Sequence, residues 1–325
     1  MIMRLCSFLL LLTGLTSCRS GVAAYARYDE TGTREAQLFE PGLISTEENS
    51  EFSPAFSPDG DTMYFARRAP GEKQRIYAST FQKGGWSEPV LTPFSTDRDE
   101  TPSITADGNY FFFGSERPIP GRPNRGNFDM NIWMMERQPT GWGTPVPLPA
   151  PINEVQQEGE QWPVATNNLF YPTGVGQFLY TTQTSGAETI ELYQVDYDGT
   201  QFSMPTKITG LFADVAQSVY SAVVSPDGRY LVFNSYGVPG AGGGEDIFVS
   251  QRVGKGWSRA VPIGPQVNTA DEESEPRFSR DGRYLFFTRA ENLGDYNYGE
   301  WNIYIIPTRS LDFNDKFVTV NAGQQ

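Results

Sequence analysis

The chain has 325 residues, 38% of them hydrophobic and 14% aromatic, a net charge of −14 and no histidine. That charge argues against nucleic acid and against docking on anionic lipid headgroups, both of which need Lys and Arg patches. The missing histidine removes Ser-His-Asp and Cys-His catalysis, together with His-based zinc, copper and iron sites.

A targeting segment precedes the fold. Arg4 supplies a positive start, and Phe8-Leu9-Leu10-Leu11-Leu12 is an apolar run too short to span a bilayer. Leu15-Thr16-Ser17-Cys18 follows. This resembles the bacterial lipoprotein signal, in which the Cys is lipidated and becomes the mature N-terminus; the plainer alternative is a secretory signal with an incidental Cys. Residues 1–17 would leave with Cys6, so no disulfide is expected in the mature chain. Arg19, rather than Asp, after the Cys points by analogy with that class to the outer membrane. Residues 18–35 are polar and irregular and read as a flexible tether.

Next comes a spare strand, Ala36 to Ile44, just before the first repeat. The repeat itself is marked by Ser57-Pro58-Asp59-Gly60, Thr105-Ala106-Asp107-Gly108, Ser225-Pro226-Asp227-Gly228 and Ser279-Arg280-Asp281-Gly282. Asp bonds its own backbone two residues on, and Gly supplies positive φ, so Asp-Gly makes a turn. Each turn leads into an aromatic-rich strand: Met63-Tyr64-Phe65, Tyr110 to Phe113, Tyr230 to Phe233 and Tyr284 to Phe287. The four aspartates therefore read as turn formers.

The spacing of these turns predicts a hidden copy near residue 168. Pro163 aligns there with Pro54, Pro102 and Pro276, and Asn167-Asn168 stands for Asp-Gly. Two further phrases recur in each unit. One is Ile-aromatic (Ile76-Tyr77, Ile132-Trp133, Ile247-Phe248, Ile303-Tyr304), with Leu192-Tyr193 in the third unit; the other is Gly-Trp (Gly85-Trp86, Gly141-Trp142, Gly256-Trp257), with Phe202 holding its place in that unit. Four short strands per unit, in fixed order, predict an all-β fold: a single β-propeller of five blades, or six if the N-terminal segment hides another half-unit. The last unit lacks its Gly-Trp strand, so residues 36–44 are expected to complete that blade and close the ring. The propeller would span 36–312, and residues 313–325 read as a frayed tail.

These phrases resemble the TolB-type, WD-like propeller repeat of bacterial envelope proteins. The match is carried by Gly242-Gly243-Gly244-Glu245-Asp246-Ile247-Phe248-Val249-Ser250, then Gly256-Trp257-Ser258, Val267-Asn268-Thr269, Glu273, Glu275-Pro276 and the last turn. It covers residues 36–306 and implies a propeller, in a family that serves as scaffold, periplasmic binding module and accessory domain alike. Gly240-Ala241-Gly242-Gly243-Gly244 has no strand-to-helix context and reads as a flexible inter-strand loop, not a phosphate cradle.

Carboxylates are the remaining chemistry. Nine residues before each turn Gly stand Glu51, Asp99, Glu160 (through Pro163), Val219 and Glu273, with Glu100 and Glu275 beside them. On the family architecture they would ring one mouth of the central channel. Trp162 and Tyr220 lie in the same segments, and Arg67, Arg68, Arg117 and Arg289 follow the second strands. Three readings stand open: solvated loops; a cation or cationic-ligand site, where oxygen ligands suit Ca²⁺; and a glycosidase pair drawn from Glu51, Asp99, Glu160 and Glu273. That pair would sit about 5–5.5 Å apart for retention or about 6.5–9.5 Å for inversion. The expectation is a non-catalytic, lipid-anchored propeller on the periplasmic side of the outer membrane that binds an envelope protein, peptide or glycan. A carbohydrate-active enzyme is its rival.

Overall fold

A computed structural model describes residues 20–322 apart from 31, 33, 122–128, 154–165, 171–176, 184–186, 213–216, 240, 243 and 296. Its strands form five antiparallel sheets, one per repeat. Blade 1 holds Ser50–Phe56, Thr62–Arg68 and Arg75–Gln82, and blade 2 holds Asp99–Ile104, Tyr110–Ser115 and Asn131–Gln138. Thr166–Phe170, Gln177–Thr182 and Glu191–Asp196 make blade 3, and Ala222–Val224, Tyr230–Tyr236 and Glu245–Val253 make blade 4. Blade 5 is Glu272–Phe278, Tyr284–Ala290 and Asn302–Pro307. Short outer strands finish each blade. The first strands of neighbouring blades touch one another, so they line the central channel.

The fifth blade takes its outer strand from the other end of the chain. Gln37–Leu38 pairs antiparallel with Asn302–Pro307, Gln37 opposite Ile305 and Leu38 opposite Tyr304. The backbone N–H of Phe39 extends the ladder to the Ile303 carbonyl at 2.8 Å. The ring is thus five-bladed and closed by its N-terminal strand, which removes a free sheet edge.

The turns behave as their sequence dictates. In all four, the Asp Oδ1 accepts a Ser or Thr hydroxyl at 2.5–2.6 Å and a backbone N–H two residues on at 3.0–3.1 Å. The following glycines take φ of 71–77°, where a side chain would be strained. Each seam between blades carries its own apolar cluster: Phe56, Phe65 and Phe286 between blades 1 and 5, Phe111 and Trp133 between 1 and 2, Phe112 and Phe178 between 2 and 3. Leu179 and Phe233 pack between blades 3 and 4, and Val232 and Phe287 between 4 and 5.

Three expectations change. Ser20–Glu30, within the expected tether, is a helix, α1. Its Ala24, Tyr25 and Tyr28 are buried among Phe39, Phe56, Tyr284 and Phe286, and its Asp29 pairs with Arg283 and Arg309. An aromatic pair three residues apart gives a short helix one face to bury. Phe313–Ala322, the expected frayed tail, is a second helix, α2, whose Phe317 is buried against Tyr230. In blade 3, Asn167 and Asn168 lie inside the strand Thr166–Phe170 and not in a turn. That strand carries the same bulge as blade 1, with Asn167 in the place of Phe52 and Leu169, not Pro163, in the place of Pro54. The connection to the next strand, residues 171–176, lies outside the described residues.

Candidate functional site

The face of the ring opposite the Asp-Gly turns, here the loop face, receives the residues that begin each inner strand. Glu51, Asp99 and Glu273 begin three of them, and each is fully buried, not solvated. Glu51 accepts the Arg67 guanidinium at 3.0 Å and the backbone and hydroxyl of Thr46 at 3.1 and 2.9 Å. Glu273 accepts Arg289 at 2.8 Å and Thr269 at 3.0 and 2.7 Å. Asp99 accepts Arg117 at 2.9 Å, the Ser95 hydroxyl at 2.9 Å and the Thr96 N–H at 3.0 Å. Each arginine also holds a carbonyl of the preceding loop: Leu43 and Ile44, Phe94, and Val267. Each lies over two aromatic rings as well: Phe65 and Tyr77, Phe113 and Trp133, Phe287 and Tyr304. Burial raises the Glu51 and Glu273 carboxyls, while the threonine and arginine donors pull them back down.

This is one rivet built three times. It ties a loop to the first two strands of a blade and leaves its carboxylate no open face. In blade 4 the position is Val219, also buried. In blade 3 the ladder puts Thr166, paired with Thr182, where blade 1 has Glu51 paired with Arg67. Glu160 and Trp162 lie outside the described residues. The expected solvated ring of Glu51, Asp99 and Glu273 is therefore not what these side chains form, and three of the four carboxylates named for glycoside hydrolysis are committed to arginines.

Two residues further along, the picture reverses. Ser53, Thr101 and Glu275 occupy the same repeat position, each inside a β-bulge. Their φ values are 48, 51 and 53°, left-handed in all three cases. A bulge with a left-handed residue breaks the strand's alternation. In blades 1 and 5 the side chain at this position meets its counterpart across the seam, whereas the one two residues before it enters the rivet. Ser53 Oγ donates across the seam to Glu275 Oε2, joining blades 1 and 5.

Around this collar stand further acids. Glu245 Oε1 accepts from Asn234 Nδ2 and, at 3.3 Å, from Ser274 Oγ. Glu272 Oε2 accepts the Glu245 N–H at 2.6 Å, and Glu272 Oε1 accepts from Asn292 at 2.6 Å. Asn234 Oδ1 in turn accepts the Glu275 N–H at 3.3 Å. Burial pushes Glu245 up to about 8, and the Glu275 and Glu272 charges add to it. Glu275 is raised by burial and by Glu100, against the pull of Arg277. Glu100 is itself buried and paired with Arg98 at 3.1 Å. Tyr220 is half-buried beside Glu245, whose charge raises its phenol after burial does. So of the expected ligand-binding residues, the structure brings Glu275, Glu100 and Tyr220 towards one site and puts Glu51, Asp99 and Glu273 into rivets.

Sequence reasoning missed other parts of this mouth. Phe52, next to Ser53, meets Trp301 at 6.0 Å between ring centres, and Trp301 meets Tyr298 at 5.9 Å. With Arg68 over Phe52, these make an aromatic ledge beside the collar. Within the glycine-rich run Gly244 lies close against blade 5: a Cβ on it would meet Glu272 Oε1 at 2.5 Å. Only glycine lets the backbone accept this close approach. Among the described residues no group of three or more Asp or Glu side chains is arranged to hold a metal ion.

The turn face carries a cleft of about 790 Å³ lined in part by Tyr25, Tyr64, Asn109, Arg137, Trp142 and Arg280. Arg280 stands where the turns of blades 1 and 4 have Pro58 and Pro226. Its guanidinium crosses the foot of the channel and donates to the carbonyls of Phe56 at 2.9 Å and Ile104 at 2.8 Å. Above it a narrow neck of about 100 Å³ is lined by Pro54, Pro102 and Pro226.

No family model and no curated protein matches the sequence. Solved structures do. A glycoside hydrolase superposes with a TM-score of 0.54 at 11% identity, over 86% of this chain and 94% of its own. TolB from Acinetobacter baumannii gives 0.45 at 15% identity over 80% of this chain, which spans only 54% of that one. A glycosyl hydrolase from Bacteroides ovatus gives 0.47 at 12% identity, over 85% and 94%. At these identities the likeness is one of fold, and the fold it supports is the β-propeller described above.

Proposed function

We propose that this chain is a non-catalytic binding module of the bacterial cell envelope, held by a lipid on Cys18 at the periplasmic side of the outer membrane. It engages a protein, peptide or glycan partner at the loop-face mouth. The observation that carries this reading is the division of labour among the acids. Glu51, Asp99 and Glu273 are locked in rivets, while Glu275 and Glu245 stand at the mouth beside the Phe52–Trp301–Tyr298 ledge. A rigid ring with an aromatic ledge and polar groups at one mouth suits recognition. No helix among the described residues is long and apolar enough to cross a membrane. α1 begins at Ser20, so an anchor at Cys18 would hold the ring close to the bilayer.

The test is affinity capture of the full-length protein from mildly cross-linked native envelope, compared with a Phe52→Ala, Trp301→Ala double variant. The expected result is a stoichiometric partner that the variant loses. Identical captures from both proteins would remove the loop-face mouth from the proposal.

A further inference from the structure

The turn face repeats one socket from seam to seam, and one copy stands open. Three residues after the turn Asp, blades 2, 4 and 5 carry Tyr110, Tyr230 and Tyr284, whereas blade 1 carries Thr62. Each of these tyrosines is capped by another ring of the chain. Tyr284 meets Tyr25 of α1 at 5.5 Å, Tyr230 meets Phe313 and Phe317 of α2 at 4.8 and 6.3 Å, and Tyr110 meets Tyr197 at 6.0 Å. Tyr25 also rests on Phe286, two residues beyond Tyr284, and on Phe56 of the next blade, at 5.5 and 5.4 Å. At the seam of blades 1 and 2 the same repeat positions are Thr62, Tyr64 and Ile104, and all three line the cleft of about 790 Å³. Where the other seams hold an aromatic side chain, this one holds a cavity.

Trp142 makes its further wall. It is half-buried, and its indole N–H donates to the Tyr64 hydroxyl at 3.1 Å, whereas the equivalent Trp86 is buried in the core against Phe39. The cleft is continuous with the seat of α1, since Tyr25 lines it as well. Its rim carries Asp59, Asp107 and Asp281, all exposed, against one exposed guanidinium, Arg137, which lies over Trp142. Arg280, on the floor, is engaged by the carbonyls of blades 1 and 2. The rim is therefore net acidic, on a chain whose net charge is −14.

We infer that this cleft seats a helix of a partner protein, one that brings an aromatic pair to the socket and basic residues to its rim. The chain's own helices show the mode. Tyr25 and Tyr28 of α1, and Phe313 and Phe317 of α2, stand one turn apart and so share a helix face. Aromatic rings bury a large apolar area on such a wall and pair well with rings like those of Tyr64 and Trp142. Opposite charge at the rim steers such a helix and fixes its register. The cleft lies on the other face of the ring from the loop-face mouth, so the inference goes beyond the binding-module reading and does not depend on it.

The experiment is calorimetric titration of the full-length protein in detergent. The probe is a blocked peptide that copies residues 20–30 with Asp29→Lys and Glu30→Lys; the control peptide carries Tyr25→Ala and Tyr28→Ala as well. The probe should bind saturably and the control should not. Thr62→Tyr gives blade 1 the residue of the other blades, plugs the socket and should weaken binding by about tenfold or more. Asn109→Arg copies Arg229 and Arg283 of blades 4 and 5, adds a cation to the rim and should weaken it several-fold. Equal heats from the two peptides, or no binding by the probe, would overturn the inference. So would wild-type affinity in both variants, the result expected if the peptide merely displaces α1 from its own seat. A dimer that forms with rising concentration and is lost in Thr62→Tyr would assign the cleft to a second copy of this chain and overturn it too. Should Thr62→Tyr melt before the titration temperature, Asn109→Arg decides alone. A partner captured through the Phe52–Trp301 ledge, with no binding of the probe, would sink this inference and leave the binding-module reading standing.

Discussion

Arg289 donates to Glu273 Oε1 at 2.8 Å and, through Nη2, to the Val267 carbonyl at 2.7 Å. One side chain thereby binds the inner strand of blade 5 to the loop that enters it. Glu273 is fully buried, so removing the arginine leaves a desolvated carboxylate with only Thr269 to hold it. Breaking a buried pair on one side costs about 3–5 kcal/mol. Arg289→Met should lose roughly that much in urea unfolding at neutral pH, and adding Glu273→Leu should recover part of it. A loss under about 1 kcal/mol would show that the rivet holds little.

The acids at the loop-face mouth predict a dependence on pH. A glutamate in the unfolded chain titrates near 4.5, whereas Glu245 in the folded ring titrates near 8 because it is buried and faces Glu275 and Glu272. Its folded value is raised, so the folded state keeps a proton that the unfolded state has lost. The stability this proton supplies is complete below about 4.5 and is lost progressively as pH rises through about 8. Glu245→Gln keeps an acceptor for Asn234 and carries no charge. It should match or fall below the wild type near pH 4.5 and exceed it by at least about 2 kcal/mol near pH 8, given about 1.4 kcal/mol per pH unit. Parallel stability curves for the two proteins across that range would show that Glu245 is not held protonated.

Ring closure makes Phe39 a sensitive position. It is fully buried, packs edge-on against Phe286 at 5.2 Å and continues the closing strand through its N–H. Phe39→Ala should cost about 3–5 kcal/mol, and deleting residues 36–44 should destabilise every blade together, because the edge of blade 5 is reopened. Differential scanning calorimetry reads both. If the deletion melts at the wild-type temperature, the N-terminal strand does not close the ring.

How far the sequence showed all this depends on the range of each interaction. The turns were legible because Asp59 bonds Ser57 and Asp61, within two residues, and a local bond leaves a local signature. The closing strand was legible because blade 5 lacked a part that the N-terminus had to spare. Blade 3 was misaligned because Asn167-Asn168 has the composition of a turn, while the pairing of Thr166 with Thr182 overrode it. The acids were found, but not sorted. Glu273 and Glu275 are two residues apart and would share a face in a regular strand. The bulge between Ser274 and Arg277 sends one to Arg289 and the other to Ser53 of the next blade. α1 was missed because its partners, Phe286 and Tyr284, lie some 260 residues away.

Arg280 was the least legible residue, since it replaces a turn proline and works on other blades. Its guanidinium donates to the Phe56 and Ile104 carbonyls, at the ends of the inner strands of blades 1 and 2. Burial pushes its own value down to about 10, so it remains charged at neutral pH. It closes the foot of the channel between the proline-lined neck and the turn-face cleft. Arg280→Met keeps the length and removes the donors, and should cost about 2–4 kcal/mol through carbonyls left without partners. Arg280→Lys should restore only part of this, because one ammonium cannot span two blades as a guanidinium fork does. The exposed Arg229, paired with Asp227 on the neighbouring turn, is the control, and Arg229→Met should change stability by less than about 0.5 kcal/mol. Hydrogen exchange should quicken in the inner strands of blades 1, 2 and 5 of Arg280→Met and stay slow in blade 4. Uniform exchange with an unchanged melting temperature would mean that the channel foot is held by the prolines alone.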